Sequence, residues 1–305
     1  MPLNLHLLRL FATVARAGSF SRAAEILHLS QPAISKGVRD FEEQVGCRLL
    51  DREPKGVRPT AEGLALARHA ETLFAAERAA EEELRAVRNL DSGTLRVGAS
   101  TTIATYMIAD GLARFHRSHP NIDLHLVIAN TRDIADLMLG HEIEIALVEG
   151  PVEDDKLLAR AWRNDVMELI VGRDHPFAAA RQPLDRARLA EEILILREPG
   201  SGSREVVAQA LATHGIAPAR TLEIGSTEAI KQAVAAGFGV SIVSTATVAD
   251  QVQLGKLRQV PIDGVHIART LWQLDMPGRV QMPAARAFER LIQPPADAAA
   301  ASNGA

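Results

Sequence analysis

"SRAAEILHLSQPAISKGVRDFEE", Ser21 to Glu43, is rich in alanine and leucine, yet Ser30, Gln31 and Pro32 interrupt what would otherwise read as one continuous helix. Ser30 is a good N-cap, because its hydroxyl can accept from a free N–H of a first helical turn. Pro32 is tolerated in such a turn, where its missing N–H has no partner to lose. The break therefore reads as a tight turn between a helix ending near Leu27 and a new helix. Upstream, Leu10, Phe11, Val14 and Ala15 recur at helical spacing, and Ala23, Ala24 and Leu27 give the second helix an inward face. In the third helix Ile34, Val38, Phe41 and Val45 share one stripe, which leaves Pro32, Lys36 and Arg39 on the opposite face with Gln31 and Ser35 at its flank.

A short helix, a turn and a helix with amide, hydroxyl and cationic groups outward is the helix-turn-helix arrangement, whose second helix enters the major groove of duplex DNA. Gln31 suits adenine, Ser35 can donate or accept, and Lys36 and Arg39 can reach guanine or phosphate. The alternative is a three-helix bundle with a solvated polar face. The next segment, "DREPKGVRPTAEG", places Arg52, Lys55 and Arg58 in a Pro- and Gly-punctuated stretch that reads as a hairpin or wing, where cations can hold backbone phosphates. A solvated turn is the other reading of that stretch.

Charge and composition agree with a DNA-reading head. The chain has 305 residues, 47% apolar and 24% charged, with a net charge of −4. Residues 1–58 hold nine basic against six acidic residues, so the head carries +3 and the rest −7. The longest apolar runs fall short of the roughly 18 residues of a spanning helix, and the N-terminus lacks the pattern of a secretory signal. Those features point to the cytoplasm and to no membrane partner. A lone cysteine, Cys47, fits a reducing compartment and reads as a small buried residue near a helix end.

From Ala61 to Asp91, Leu66, Leu73, Ala80 and Val87 recur every seventh residue, with Ala70, Glu77 and Leu84 at the intervening fourth positions. This is a heptad seam with one polar intruder, so two copies can pair, or the helix can pack on its own chain. Asp91, Ser92 and Gly93 mark a linker. Beyond it, "TLRVGA", "IDLHLVI", "EIALV", "VMELIVG", "EILILR", "TLEIG", "VSIVS" and "ARTLWQL" read as strands with helical stretches between most of them, an α/β arrangement with largely parallel sheets. Two strand-to-helix turns stand out: "VGASTTIATY" with Ser100, Thr101 and Thr102, and "LREPGSGSREV" with Ser201, Gly202, Ser203 and Arg204. Hydroxyls, free N–H groups and the positive end of a helix suit small anions, and open α/β sheets bind ligands at these carboxyl edges. Glu149 follows a buried-type strand at the same edge and is a further candidate pocket residue.

"LLRLFATVARAGSFSRAAEILHLSQPAISKGVRDFEEQVGCRLLDR" followed by "GVRPTAEG" resembles the winged helix-turn-helix of LysR-type bacterial transcriptional regulators. By that resemblance Gln31, Pro32, Ser35, Lys36 and Arg39 belong to the recognition helix and Arg52 and Arg58 to the wing, although "DREPKGV" departs from the shorter or more basic form many members carry. "TLRVGAS", "ARFHRSHPNIDLHL", "EIEIALVEG" and "STEAIKQAVAAGFGVSIVS" resemble the effector domain of the same regulators, which shares its two-lobed fold with periplasmic solute-binding proteins. The resemblance implies an effector held between lobes, with Ser100, Thr101 and Thr102 on one side and Thr227 and the Ser203 region on the other. "REPGSGSR" and "STEAIKQAV" further resemble the branch containing CbbR-like regulators of carbon-fixation operons and regulators of sulfur assimilation. Homodimers or homotetramers and a contact with RNA polymerase are also implied.

The expected fold is α/β with an all-α winged helix-turn-helix N-terminal domain over 1–60. A linking, pairing helix follows over 61–91, then an effector domain of two Rossmann-like lobes over 92–293, with lobe I at about 94–164 and 268–293 and lobe II at about 165–267. The tail, 294–305, reads as disordered. A transport-type solute-binding protein, which the second half would permit, is disfavoured by the N-terminus, which reads as a helix-turn-helix and not as an export signal. An enzyme is disfavoured because G-x-S-x-G, G-x-x-x-x-G-K-[ST] and metal-ligand spacing are missing. His116, His119, His141 and Glu142 do not form a metal set, and no cofactor is expected. Trp162 reads as packed, and Gly237 and Gly239 as the turn after a helix.

Overall fold

Helix α1 (Leu5–Ala17) starts at Asn4, whose side chain accepts from the amides of His6 and Leu7, and stops at Gly18, which takes φ 63°. Ser19 caps α2 (Phe20–Leu27), and the Ser30 hydroxyl accepts from the Ala33 amide at 3.4 Å to open α3 (Gln31–Val45), with Pro32 in its first turn. The chain is described by a computed structural model over residues 3–53, 56–87, 93–150, 152, 154–180 and 182–293. These residues form two compact units that divide between Glu81 and Glu82.

In the first unit Leu8, Phe11, Val14, Ala23, Ile34, Val38 and Phe41 make one buried core, with the Phe11 and Phe41 rings 6.1 Å apart. The inward stripe read from the sequence is therefore the packed face of α3, Val45 lying at its half-buried end. An antiparallel hairpin follows, β1 (Leu50–Glu53) on β2 (Gly56–Pro59), registered Leu50 to Pro59. Cys47 is exposed rather than buried: Gly46 ends α3 at φ 76°, and the next residue turns outward toward β1.

Helix α4 (Ala61–Val87) has 27 residues, about 40 Å at 1.5 Å per residue. It begins hard against the hairpin, where a Cβ on Gly63 would lie 2.0 Å from the Leu49 carbonyl oxygen, so glycine is needed there. Its first half packs on its own chain through Ala70 and Phe74. Arg9 also lies across α4, paired with Glu77 and 4.2 Å from the Phe74 ring centre. The heptad seam is thus divided in use. Leu66 and Ala70 serve the chain's own core, whereas Leu73 (37% exposed), Ala80 and Leu84 (64% exposed) face outward. The Val87 side chain, the Asp91 and Ser92 linker and the 294–305 tail lie outside the described residues.

The second unit alternates strands and helices. Its first half contains β3 (Gly93–Ser100), α5 (Thr101–Tyr106), α6 (Ala109–Ser118), β4 (Ile122–Ala129), α7 (Thr131–Leu139), β5 (Ile145–Val148) and β6 (Leu158–Gly172). It continues through α8 (Arg186–Ala190), β7 (Ile193–Leu196), α9 (Gly202–Thr213), β8 (Arg220–Glu223), α10 (Thr227–Ala235) and β9 (Ser241–Ser244). It closes with α11 (Ala249–Gln253), β10 (Leu257–Val260), β11 (Ile267–Asp275) and α12 (Pro283–Ile292). Seven strands form one sheet in the order β10-β6-β11-β5-β3-β4, with β9 also paired to β6, and β7 and β8 make a parallel pair.

The sheet is mixed rather than largely parallel. β3 lies parallel to β4 and β5, but β11 runs antiparallel to both β5 and β6. β6 starts at Leu158, eight residues before the apolar run that announced it, because its exposed first residues are paired along β11 from Asp275. These two long strands carry the sheet from one apolar core, around Ile134, Met138, Ile143 and Leu274, to another around Leu169, Leu194, Val207 and Ile242. Trp162 is packed as expected, its Nε1 donating to the Ile292 carbonyl at 3.1 Å.

Candidate functional site

On the first unit, burying Ile34, Val38 and Phe41 turns the other face of α3 outward. Gln31, Pro32, Lys36 and Arg39 are exposed and Ser35 is half-buried. Lys36 and Arg39 have no hydrogen bond or ion pair among the described residues. Arg58 is exposed on β2 and Arg52 stands opposite Val57 on β1, while the Arg52 side chain and all of Lys55 lie outside the described residues. Among the described residues, Lys36 and Arg39 are thus uncommitted donors on the outward face of α3.

In the second unit the two turns singled out from sequence meet one carboxylate. Ser100 ends β3 and Glu149 follows β5, the neighbouring strand. The Glu149 carboxylate accepts from the Thr102 amide at 2.9 Å and from the Ser203 hydroxyl in the first turn of α9. Arg269, on β11, donates Nη1 to Glu149 at 3.0 Å and to Ser203 at 2.9 Å, and Nε to Asp165 at 2.7 Å. Ser244 donates to the other Asp165 oxygen at 2.7 Å. Burial alone would raise the Glu149 pKa. The Arg269 charge and the Ser203 and Thr102 hydrogen bonds outweigh it, and the net shift is downward. Glu149 therefore does not line the cavity as the sequence suggested. It is 2% exposed and fastens the two turns to each other.

The backbones close just as tightly there: a Cβ on Gly202 would lie 2.5 Å from the Gly150 nitrogen, so only glycine permits the contact. Beside it lies a small cavity of about 10 Å³, lined by Thr102, Arg197, Ser203, Arg204, Thr227 and Ser241. That is the room of one water molecule. A wider cavity of about 720 Å³, bordered by Thr131, Arg132, Asp136, Gly200, Gly202 and Glu205, touches the same first turn of α9. Its volume lies in the range of small-molecule sites.

Several assignments change in detail. Arg204 is committed, with Nη1 donating to the Arg197 carbonyl at 2.6 Å and to Glu223 at 3.0 Å. A second cation at the cavity is Arg197, which the sequence reading passed over. It is 7% exposed and donates Nη1 to Thr227 at 3.0 Å and Nη2 to Thr101 at 3.4 Å. Lys231 was also missed. Only 2% exposed, it donates to the Tyr106 hydroxyl at 2.8 Å and the Thr247 carbonyl at 2.6 Å, and pairs with Glu228 at 2.7 Å. A charge at the end of an apolar run, as in "ILILR", or inside a helix that otherwise alternates, was the available signal for both. Among the described residues there is no group of three or more His, Cys, Asp or Glu side chains able to hold a metal, and no helix long and apolar enough to cross a membrane.

Comparison with known proteins covers both units. Residues 5–64 match the bacterial regulatory helix-turn-helix protein, lysR family, and residues 88–294 match the LysR substrate binding domain. The chain is 31% identical over 292 residues to the RuBisCO operon transcriptional regulator of Allochromatium vinosum, covering 96% of each. It superposes on a full-length OxyR variant of Pseudomonas aeruginosa with a TM-score of 0.75 at 26% identity, covering 96% of this chain and 94% of that one. The Synechocystis CcmR regulatory domain in complex with 2-PG matches with a TM-score of 0.61 at 29% identity, covering 70% of this chain and 99% of that one.

Proposed function

The chain belongs to the LysR family of bacterial transcription regulators, in a branch with regulators of RuBisCO operons, and on that premise we propose which of its residues read DNA and which sense a metabolite. Residues 1–60 hold duplex DNA, with Gln31, Pro32, Ser35, Lys36 and Arg39 in the major groove and Arg52, Lys55 and Arg58 on flanking phosphates. Residues 61–91 pair two chains through the outward part of α4, Leu73, Ala80 and Leu84, and homodimers assemble further into homotetramers. Residues 92–293 form two lobes, about 94–164 with 268–293 and about 165–267, that take a small anionic metabolite between them. The protein acts in the cytoplasm as a binding switch rather than a catalyst, and RNA polymerase is the partner that reads the outcome.

One observation carries this assignment: Lys36 and Arg39, without a partner among the described residues, stand on an exposed helical face, while the Thr101 and Thr227 hydroxyls accept from the buried Arg197 guanidinium beside a small cavity that Thr102, Ser203 and Thr227 line. The first suits a long, solvated polyanion; the second offers a cation and hydroxyls to a small anion, which needs the water-sized space there to widen, as the neighbouring cavity of about 720 Å³ already does. The relative solved with 2-PG supports a small phosphorylated or carboxylated effector. Ser100 and Ser201 are buried in the two turns behind the cavity-lining residues, Gly202 borders the wider cavity, Arg204 orients Arg197 through its carbonyl, and Glu149 holds the two turns together. A coupling of about 1 to 3 kcal/mol between effector and DNA would be enough to reset promoter occupancy.

The test is fluorescence anisotropy with the full-length protein and the duplex upstream of its own gene, with and without 2-PG. Addition of 2-PG should change apparent DNA affinity or the length of the protected site, and Thr102→Ala with Thr227→Ala should remove that response while leaving DNA affinity in the absence of 2-PG intact. A response that survives the double substitution would place the effector elsewhere.

A further inference from the structure

Arg197 is nearly enclosed, and a guanidinium in that position needs a counter-charge whether or not an effector is present. The chain supplies one from the adjacent residue. Nε of Arg197 donates to one oxygen of Glu198 at 2.7 Å and Nη2 donates to the other at 2.9 Å, a two-pronged pair between sequence neighbours. The remaining Nη1 prong goes to Thr227, and Nη2 also reaches Thr101. The Glu198 side chain is 24% exposed, whereas the carboxylates that hold Arg269 are 2% and 4% exposed. Glu198 can swing into water from where it stands, and the Arg269 partners cannot.

We propose that Glu198 is a built-in competitor for the effector: its carboxylate occupies the anion seat on Arg197 when the cleft is empty and must leave before an effector can take it. This rests on the cleft being the effector site and adds how that site is gated and what it selects. A monocarboxylate arriving at Arg197 would exchange one two-pronged pair for an equal one while losing its own freedom of motion, and so gains little. A tetrahedral oxyanion presents further oxygens to the Thr101 and Thr227 hydroxyls, so it can displace Glu198 where acetate cannot. The gate therefore selects phosphate- or sulfate-type groups over simple carboxylates.

The experiment uses the full-length protein in chloride buffer, with inorganic phosphate, inorganic sulfate and acetate as probes and thermal shift plus calorimetry as readouts. Glu198→Gln removes the competing charge and should bind phosphate or sulfate at least tenfold more tightly than the parent. Acetate, silent with the parent, should give a measurable shift. Glu198→Asp, which retains the charge but shortens its reach, should fall between the two and guards against misfolding of the Gln variant. Arg197→Gln should abolish oxyanion binding in either background. Unchanged or weaker oxyanion affinity in both Glu198 variants would overturn the gate, and if Thr102→Ala still lowered that affinity the cleft itself would stand. Oxyanion binding that survives Arg197→Gln would overturn both.

Discussion

The cations of the reading head and those of the effector domain solve opposite problems. Lys36 and Arg39 stand in water with no partner among the described residues, so substituting them removes no bond to those residues. Arg197, Arg269 and Lys231 are 7%, 6% and 2% exposed, and each is tied to two or more groups of its own chain. A polyanion such as DNA keeps its solvent and is met by charges already at the surface. A small anion must be stripped of water, so its receptor is buried, and a buried charge must be compensated at all times. The reading head thus risks little stability for function, while the effector domain has function and stability bound together.

Replacing Arg269 with Ala sharpens that contrast most. Glu149 and Asp165 would be left as unpaired charges in a closed interior, and a loss of about 3 to 5 kcal/mol is expected in urea unfolding followed by circular dichroism. A loss below about 1 kcal/mol would mean the cluster is wetter than its burial implies. Acid probes the same cluster by another route. The Glu149 pKa is held below its ordinary value near 4.5, so its contribution to stability is complete above the unfolded value and disappears as pH falls through the folded one. The stability difference between the parent and Glu149→Gln should therefore be largest near neutral pH and shrink below about pH 4.5. A difference that grew on acidification would reverse the assigned sign. Tyr106→Phe is the mildest change, removing one hydrogen bond from Lys231 while leaving its other partners, and about 1 kcal/mol is expected from thermal denaturation.

How much could be read without coordinates follows the same division. Helical period and a serine-proline break are local signals, so the core stripe of α3 and its outward face were both legible from Ile34, Val38 and Phe41. The two polar turns at Ser100–Thr102 and Ser201–Arg204 were legible because a strand's carboxyl end followed by a helix start is also local. The pairing of Glu149 with Arg269 was not, since 120 residues separate them and no periodicity links the ends of β5 and β11. Arg204 reads as a charge offered to an anion because it lies in a helix's first turn, yet its guanidinium reaches back to Arg197 and Glu223. The heptad on α4 is a true apolar pattern that the chain's own core uses only in part, because Ala70 packs on its own head while Leu84 stays exposed. Spacing alone does not distinguish a neighbour in the same chain from one in another.

The claim that an uncommitted cationic face on α3 reads DNA, apart from the chain's stability, is tested most directly by one titration. The parent and a Lys36→Ala, Arg39→Ala double variant are compared for binding to the duplex upstream of the gene across a salt series, with the melting temperature of each recorded. Affinity should fall by at least tenfold and the slope of log affinity against log salt should flatten, at an unchanged melting temperature. Equal affinities and slopes for the two proteins would contradict it.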